Sequence, residues 1–97
     1  MLQKDIDKIL SENKGAKVAE FELDGMKVHA IFSKPSRHVI GLAMAKSQGN
    51  ILSMVDVVVE NCWLDGDAII REDDGLYASL ISVINELMGM VKASIKN

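Results

Sequence analysis

Residues 17–33 constrain the fold of this chain more than any other segment. Phe21 and Leu23 alternate with Glu20 and Glu22, and after Asp24-Gly25 the residues Met26, Val28, Ala30 and Phe32 alternate with Lys27, His29 and Ile31. An Asp-Gly pair between two alternating runs suits a two-residue type I′ turn, because both central positions need positive φ. The turn then sets Leu23 opposite Met26, Phe21 opposite Val28 and Ala19 opposite Ala30 on one face of an antiparallel hairpin. On the other face Glu22 meets Lys27 and Glu20 meets His29, and opposite charges across a ladder support that register. Val18 and Ile31 also meet on this nominally polar face, so part of it is expected to be covered. Two strands alone are at best marginal in water, so Phe21, Leu23, Met26, Val28 and Phe32 are expected to lie on helices. The free strand edges are expected surfaces for a neighbouring subunit.

The remainder reads as mainly helical. Leu2, Ile6, Ile9 and Leu10 share one helical face, giving an N-terminal helix within residues 1–15 with Gly15 as its C-terminal cap. Lys34-Pro35-Ser36 closes the hairpin, and Ser36 is a good N-cap for a helix over residues 37–47 with Val39, Ile40, Ala43 and Met44 inward. Asn50 opens the next helix, where Ile51, Val55, Val58 and Cys62 fall at helical spacing beside Leu52, Val59 and Trp63. Val57-Val58-Val59 favours a strand, but Asp56, Glu60 and Asn61 gather on one side only if the segment is helical. Residues 64–67 read as a turn, Asp67 as the cap of a short helical turn over 68–71, and Asp73-Asp74-Gly75 as the opening of a long helix over about 76–95. The expected fold is therefore α+β, mainly α. It is a single domain over residues 1–97, with the hairpin at 17–33 and a small helical bundle from residue 36 onward.

The last helix carries two adjacent apolar stripes. One is Leu76, Leu80, Val83, Leu87 and Met90; the other is Tyr77, Ile81, Ile84, Met88, Val91 and Ile95. Together they form an arc wider than packing on one partner requires. With only four aromatic residues and six Met in the chain, the core is expected to be aliphatic and adaptable. The helix is therefore expected to find a partner on a second side, from another subunit or a client.

Several kinds of chemistry lack their parts. The net charge is −3 and the basic residues are scattered, so no phosphate-binding stripe forms and nucleic-acid binding is not expected. The lone Cys62 excludes an internal disulfide and suits a reducing compartment. The first ten residues have no apolar signal core and no run approaches a membrane span, so a soluble cytoplasmic protein is expected. Cys62 with His29 or His38 is a conceivable nucleophile and base, but Cys62 sits on the apolar side of its helix with no oxyanion loop near it. One Cys and two distant His give no metal-ligand spacing. Asp65-Gly66-Asp67 fails as a calcium loop, because Ile69 and Ile70 stand where an oxygen ligand and a glycine are needed. No catalytic, cofactor or metal residues are assigned, which leaves binding or assembly.

The order of the segments resembles a known family. A hairpin leads into Phe32-Ser33-Lys34-Pro35-Ser36-Arg37, then a small-residue helix, then Val57-Val58-Val59-Glu60-Asn61-Cys62-Trp63-Leu64-Asp65-Gly66-Asp67, an acidic turn at Glu72-Asp73-Asp74 and a terminal helix. Over residues 18–95 this resembles the small tail assembly chaperones of long-tailed bacteriophages and prophages. There a Lys-Pro-Ser/Thr-Arg-like step precedes the helices and a Cys-Trp-x-Gly-Gly-Asp-like turn precedes the last one; here Asp65 replaces the first of those glycines. The resemblance implies a non-enzymatic protein that binds the tape-measure protein in the bacterial host cytoplasm while the tail tube assembles. Met-rich, over-wide apolar surfaces suit such an extended partner. The residues expected on that surface are Leu80, Ile84, Leu87, Met88 and Val91, with Met54 and Trp63 next. A self-associating structural or regulatory domain is the alternative, and a small Cys62-dependent hydrolase a more distant one.

Overall fold

The computed structural model describes residues 1–89. Its elements are α1 (Gln3–Glu12), β1 (Lys17–Leu23), β2 (Met26–Phe32), α2 (Arg37–Ser47), α3 (Ile51–Cys62), β3 (Trp63–Gly66), α4 (Ile69–Glu72) and α5 (Asp74–Leu87). The hairpin forms in the expected register, from Leu23 opposite Met26 to Val18 opposite Ile31 and Lys17 opposite Phe32. Asp24 and Gly25 take φ of 50° and 79°, the backbone that a type I′ turn demands. The architecture is α+β and mainly α, as the alternation and helical spacing imply.

The sheet has one more strand than expected. Trp63, read with the preceding helix, and residues 64–66, read as part of a turn, form β3, which pairs antiparallel with β2 and gives the order β1-β2-β3. Ala30 faces Gly66 and Ile31 faces Asp65, with an irregularity between Ile31 and Phe32. The second edge of β2 is thus closed within the chain, and β1 and β3 are the edge strands of the sheet. Four residues are too few for a period-two pattern to show.

Helix ends follow local chemistry with three departures. Ser36 Oγ accepts from Val39 N–H at 3.2 Å, Asn50 Oδ1 from Leu52 N–H at 2.9 Å and Asp73 Oδ1 from Leu76 N–H at 2.9 Å, so α2, α3 and α5 begin on side-chain caps. By contrast, α1 ends at Glu12, before Gly15. Gly15 (φ 85°) instead turns the chain toward β1. Asp67 does not cap α4, because its carboxylate is taken up by the sheet, as described below. Finally, α5 stops at Leu87, followed by Gly89 at φ 64°, a left-handed stop that glycine accepts most readily. The expected continuation over residues 90–95, with Val91 and the stripe positions Met90 and Ile95, lies outside the described residues.

The main core lies between the hairpin's inner face and the helices. Ala19, Val28, Ala30 and Phe32 from the sheet meet Val39 and Ala43 of α2, Met54, Val55, Val58, Val59 and Cys62 of α3, Ile70 of α4, and Leu76, Leu80 and Ile84 of α5. Phe21 and Leu23 pack partly against this cluster, but Met26, expected inward, is 69% exposed at the hairpin tip. Phe32 sits edge-on to Trp63, with ring centroids 5.6 Å apart. Burying apolar area at roughly 25 cal/mol per Å² is what holds these layers together.

Ile31 is fully buried on the other face of the sheet, outside the main cluster. Ile6 of α1 is buried outside it too, and Asp65, the cross-strand partner of Ile31, borders a cleft with Asp5, Ile9 and Glu12 of α1. So α1 covers the outer face of the sheet at Ile31, which explains an apolar residue on a polar face. Its partner Val18 stays 40% exposed near the open edge.

Candidate functional site

The surface expected on α5 faces inward. Leu80 and Ile84 are completely buried, and Met88 nearly so, along an i, i+4 line that begins at Leu76. Leu87 is half-buried on the flank of the core, and Val91 lies outside the described residues. Met54 of α3 is buried with them. Among the described residues, the stripe from Leu76 through Leu80 and Ile84 to Met88 is covered within the chain, where α5 packs on α3, α4 and β1. Of the residues expected on that surface, Leu80, Ile84, Met88 and Met54 belong to the core.

Trp63 is half-buried between two side chains. Its ring receives the edge of Phe32, and the Arg71 guanidinium lies 5.3 Å from its centroid, a cation–π stack. Nearby, the Tyr77 hydroxyl donates to the Asp56 carboxylate, tying α5 to α3. Burial, and then that carboxylate, push the Tyr77 phenol above its ordinary range.

Among the described residues, four of the nine exposed large apolar side chains are instead on the α2–α3 helical hairpin. Leu42 and Met44 of α2 and Ile51 and Leu52 in the first turn of α3 are all exposed. Met44, expected inward, is nearly half exposed, because α2 makes its main contact with α3 and buries only Val39 and Ala43 fully. The signal for this was present: α2 carries Val39, Ile40, Leu42, Ala43 and Met44 around its circumference, and a helix packed on one side cannot hide them all. A second opening lies between the free edge of β1 and the end of α5, a groove of about 460 Å³ lined by Val18, Ala19, Glu20, Val83 and Leu87 among others.

A further group of titratable side chains lies on the outer face of the sheet. Asp67 Oδ2 accepts from the His29 backbone N–H at 2.8 Å and from the Met1 ammonium at 3.1 Å, while Asp67 N–H donates to His29 O. Burial works against the Asp67 charge, but these donors outweigh it and hold the carboxyl below its usual range. His29 Nε2 lies 3.0 Å from Glu20 Oε1, the pair expected from the register, and its Nδ1 is buried without a protein partner. Cys62 is buried in the core, and that burial pushes its thiol up, against a weaker opposing pull from Ser33. A raised thiol is the reverse of an activated nucleophile. Among the described residues no cluster of three His, Cys, Asp or Glu side chains is arranged to hold a metal, and no helix is long and apolar enough to cross a membrane.

No protein-family model matches the chain, and no curated protein is detectably similar. Among solved structures, that of the uncharacterised protein rbstp2171 from Bacillus stearothermophilus is similar, with a TM-score of 0.64 and 15% identity over 95% of this chain and 99% of that one. At that identity the likeness concerns the fold alone: the same α+β arrangement is built from a largely different sequence.

Proposed function

We propose that this protein is a small tail assembly chaperone of a long-tailed bacteriophage or prophage, binding the tape-measure protein in the host cytoplasm without covalent chemistry. The observation that carries this reading is the apolar surface on the α2–α3 hairpin. Leu42, Met44, Ile51 and Leu52 stand open on a pair of helices that could have buried them only by packing on something else. Exposed apolar side chains on two neighbouring helices, a Met among them, suit an amphipathic helical client, since thioethers adapt to varied partners. The segment order over residues 18–95 supports the same reading. The binding residues are then those on α2 and the start of α3, in place of the buried Leu80, Ile84, Met88 and Met54.

Coexpression with the tape-measure protein of the same phage or prophage tests this. The chaperone reading expects the client to stay soluble and to copurify with the chain, and expects Leu42→Asp with Met44→Asp to abolish copurification while leaving the far-UV circular dichroism unchanged. A folded, stable chain that never retains the client overturns it. The open edge of β1 favours a second reading, a self-associating domain without a client. A homo-oligomer of fixed size that retains no client would establish that reading instead.

A further inference from the structure

Among the longer helices, α1 is tied down least. Only Ile6 is fully buried along it, Leu2 at its N-cap is 63% exposed, and no side chain caps its first turn. A ten-residue helix is too short to persist alone in water, so α1 keeps its shape only while docked. Besides the partly buried Ile9 and Leu10, two contacts stand out. Ile6 is buried over the outer face of the sheet where Ile31 lies, and the Met1 ammonium reaches Asp67 Oδ2. The same Asp67 oxygen accepts from the His29 N–H, so one carboxylate joins α1 to the central strand. No residue of α1 belongs to the main core cluster.

We propose that α1 is a strap that opens as a unit, uncovering Ile31 and the outer face of β2 and β3 while the core beneath stays folded. A segment with one buried apolar anchor and one polar tether opens at lower free energy than the structure it covers. Opening costs the Ile6 contact and the ion pair, but it leaves Phe32, Val55, Leu80 and Ile84 in their sealed layer. The uncovered strip runs from Ile31 to the half-exposed Val18 at the open edge of β1, so the strap governs when that strip is accessible. This device does not depend on the chaperone reading, which uses the α2–α3 surface.

Native-state hydrogen exchange on the full chain tests the strap. The amides of α1 are expected to exchange at least about tenfold faster than those of β2 from Val28 to Phe32, as a low-stability unit must. Asp67→Asn keeps an oxygen for the His29 N–H but removes the charge that holds Met1. It is expected to speed α1 exchange several-fold further without changing the β2 amides from Ala30 to Phe32, and Ile6→Ala is expected to do the same through the apolar anchor. Equal protection of α1 and β2 in the unmodified protein would overturn the strap, since the two would then open only together. So would variants that accelerate β2 in step with α1, or that leave α1 unaffected.

Discussion

Gly66→Ala probes the tightest point in the sheet. A Cβ at Gly66 would lie 2.6 Å from the Trp63 ring, 2.8 Å from the His29 carbonyl oxygen and 2.9 Å from Ala30 Cα. The last two are backbone atoms of the central strand and cannot step aside without disturbing the pairing of Ala30 with Gly66 and the 2.8 Å bond from Asp67 N–H to His29 O. Nor can the Trp63 ring swing freely, held between Phe32 and Arg71. Overpacking usually costs about 1–3 kcal/mol, and two rigid backbone contacts place this case at the upper end. For a domain of this size that corresponds to a fall in melting temperature of roughly 10–20 °C. In urea the midpoint should drop by about 1 M or more. Gly41→Ala makes the same chemical change where a Cβ meets nothing within 4 Å, in the middle of α2. There alanine should stabilise by about 0.5–1 kcal/mol. Urea unfolding followed by far-UV circular dichroism reads both. A Gly66→Ala protein within about 0.5 kcal/mol of the unmodified chain would refute the close approach of β3 to β2.

Other substitutions separate the core from the surface. Ile84→Ala should cost about 2–5 kcal/mol, whereas the exposed Leu42→Ala should stay within about 0.5 kcal/mol in the same unfolding experiment. Equal losses would refute the inward placement of α5. Ser36→Ala removes the acceptor for Val39 N–H and should cost about 1 kcal/mol; no change in the urea midpoint would mean that the cap contributes nothing. The Tyr77 phenol is raised by burial and by Asp56, so its contribution is complete below the unfolded value near 10 and is lost as pH rises through the higher folded value. An ultraviolet phenolate titration should therefore show ionisation delayed until the protein unfolds in base, and ordinary titration of Tyr77 in the folded protein would contradict it.

What could be read from the residues, and what could not, divides along a physical line. The hairpin and its register were legible because a type I′ turn and period-two alternation are local signals, and the caps at Ser36, Asn50 and Asp73 are local too. Strand β3 was hidden, because Trp63-Leu64-Asp65-Gly66 becomes a strand only through pairing with Ile31 and Phe32, more than thirty positions earlier. The carboxylate of Asp67 serves His29 and Met1 for the same non-local reason, and no spacing rule announces that. Surface and core were exchanged on α5 and α2. An apolar arc of given width looks the same whether it is covered by its own chain or left open. The broad arc of α5 met α3, α4 and β1, while the weaker pattern of α2 met little besides α3. Met44 and Ile84 thus traded places relative to expectation.

The bond between Met1 and Asp67 spans 66 positions of sequence, which gives the fold an order in time during synthesis. At roughly 5–20 residues per second, the first helix is made several seconds before the carboxylate that secures it emerges. Over the same interval β2 has one paired edge and waits for residues 63–66 to close the other. The hairpin can form early from its own turn, but its outer side is completed only after α3 has been made. The carboxylate that tethers Met1 is thus made after α1, the hairpin and α3, so this contact can form only once residue 67 has emerged.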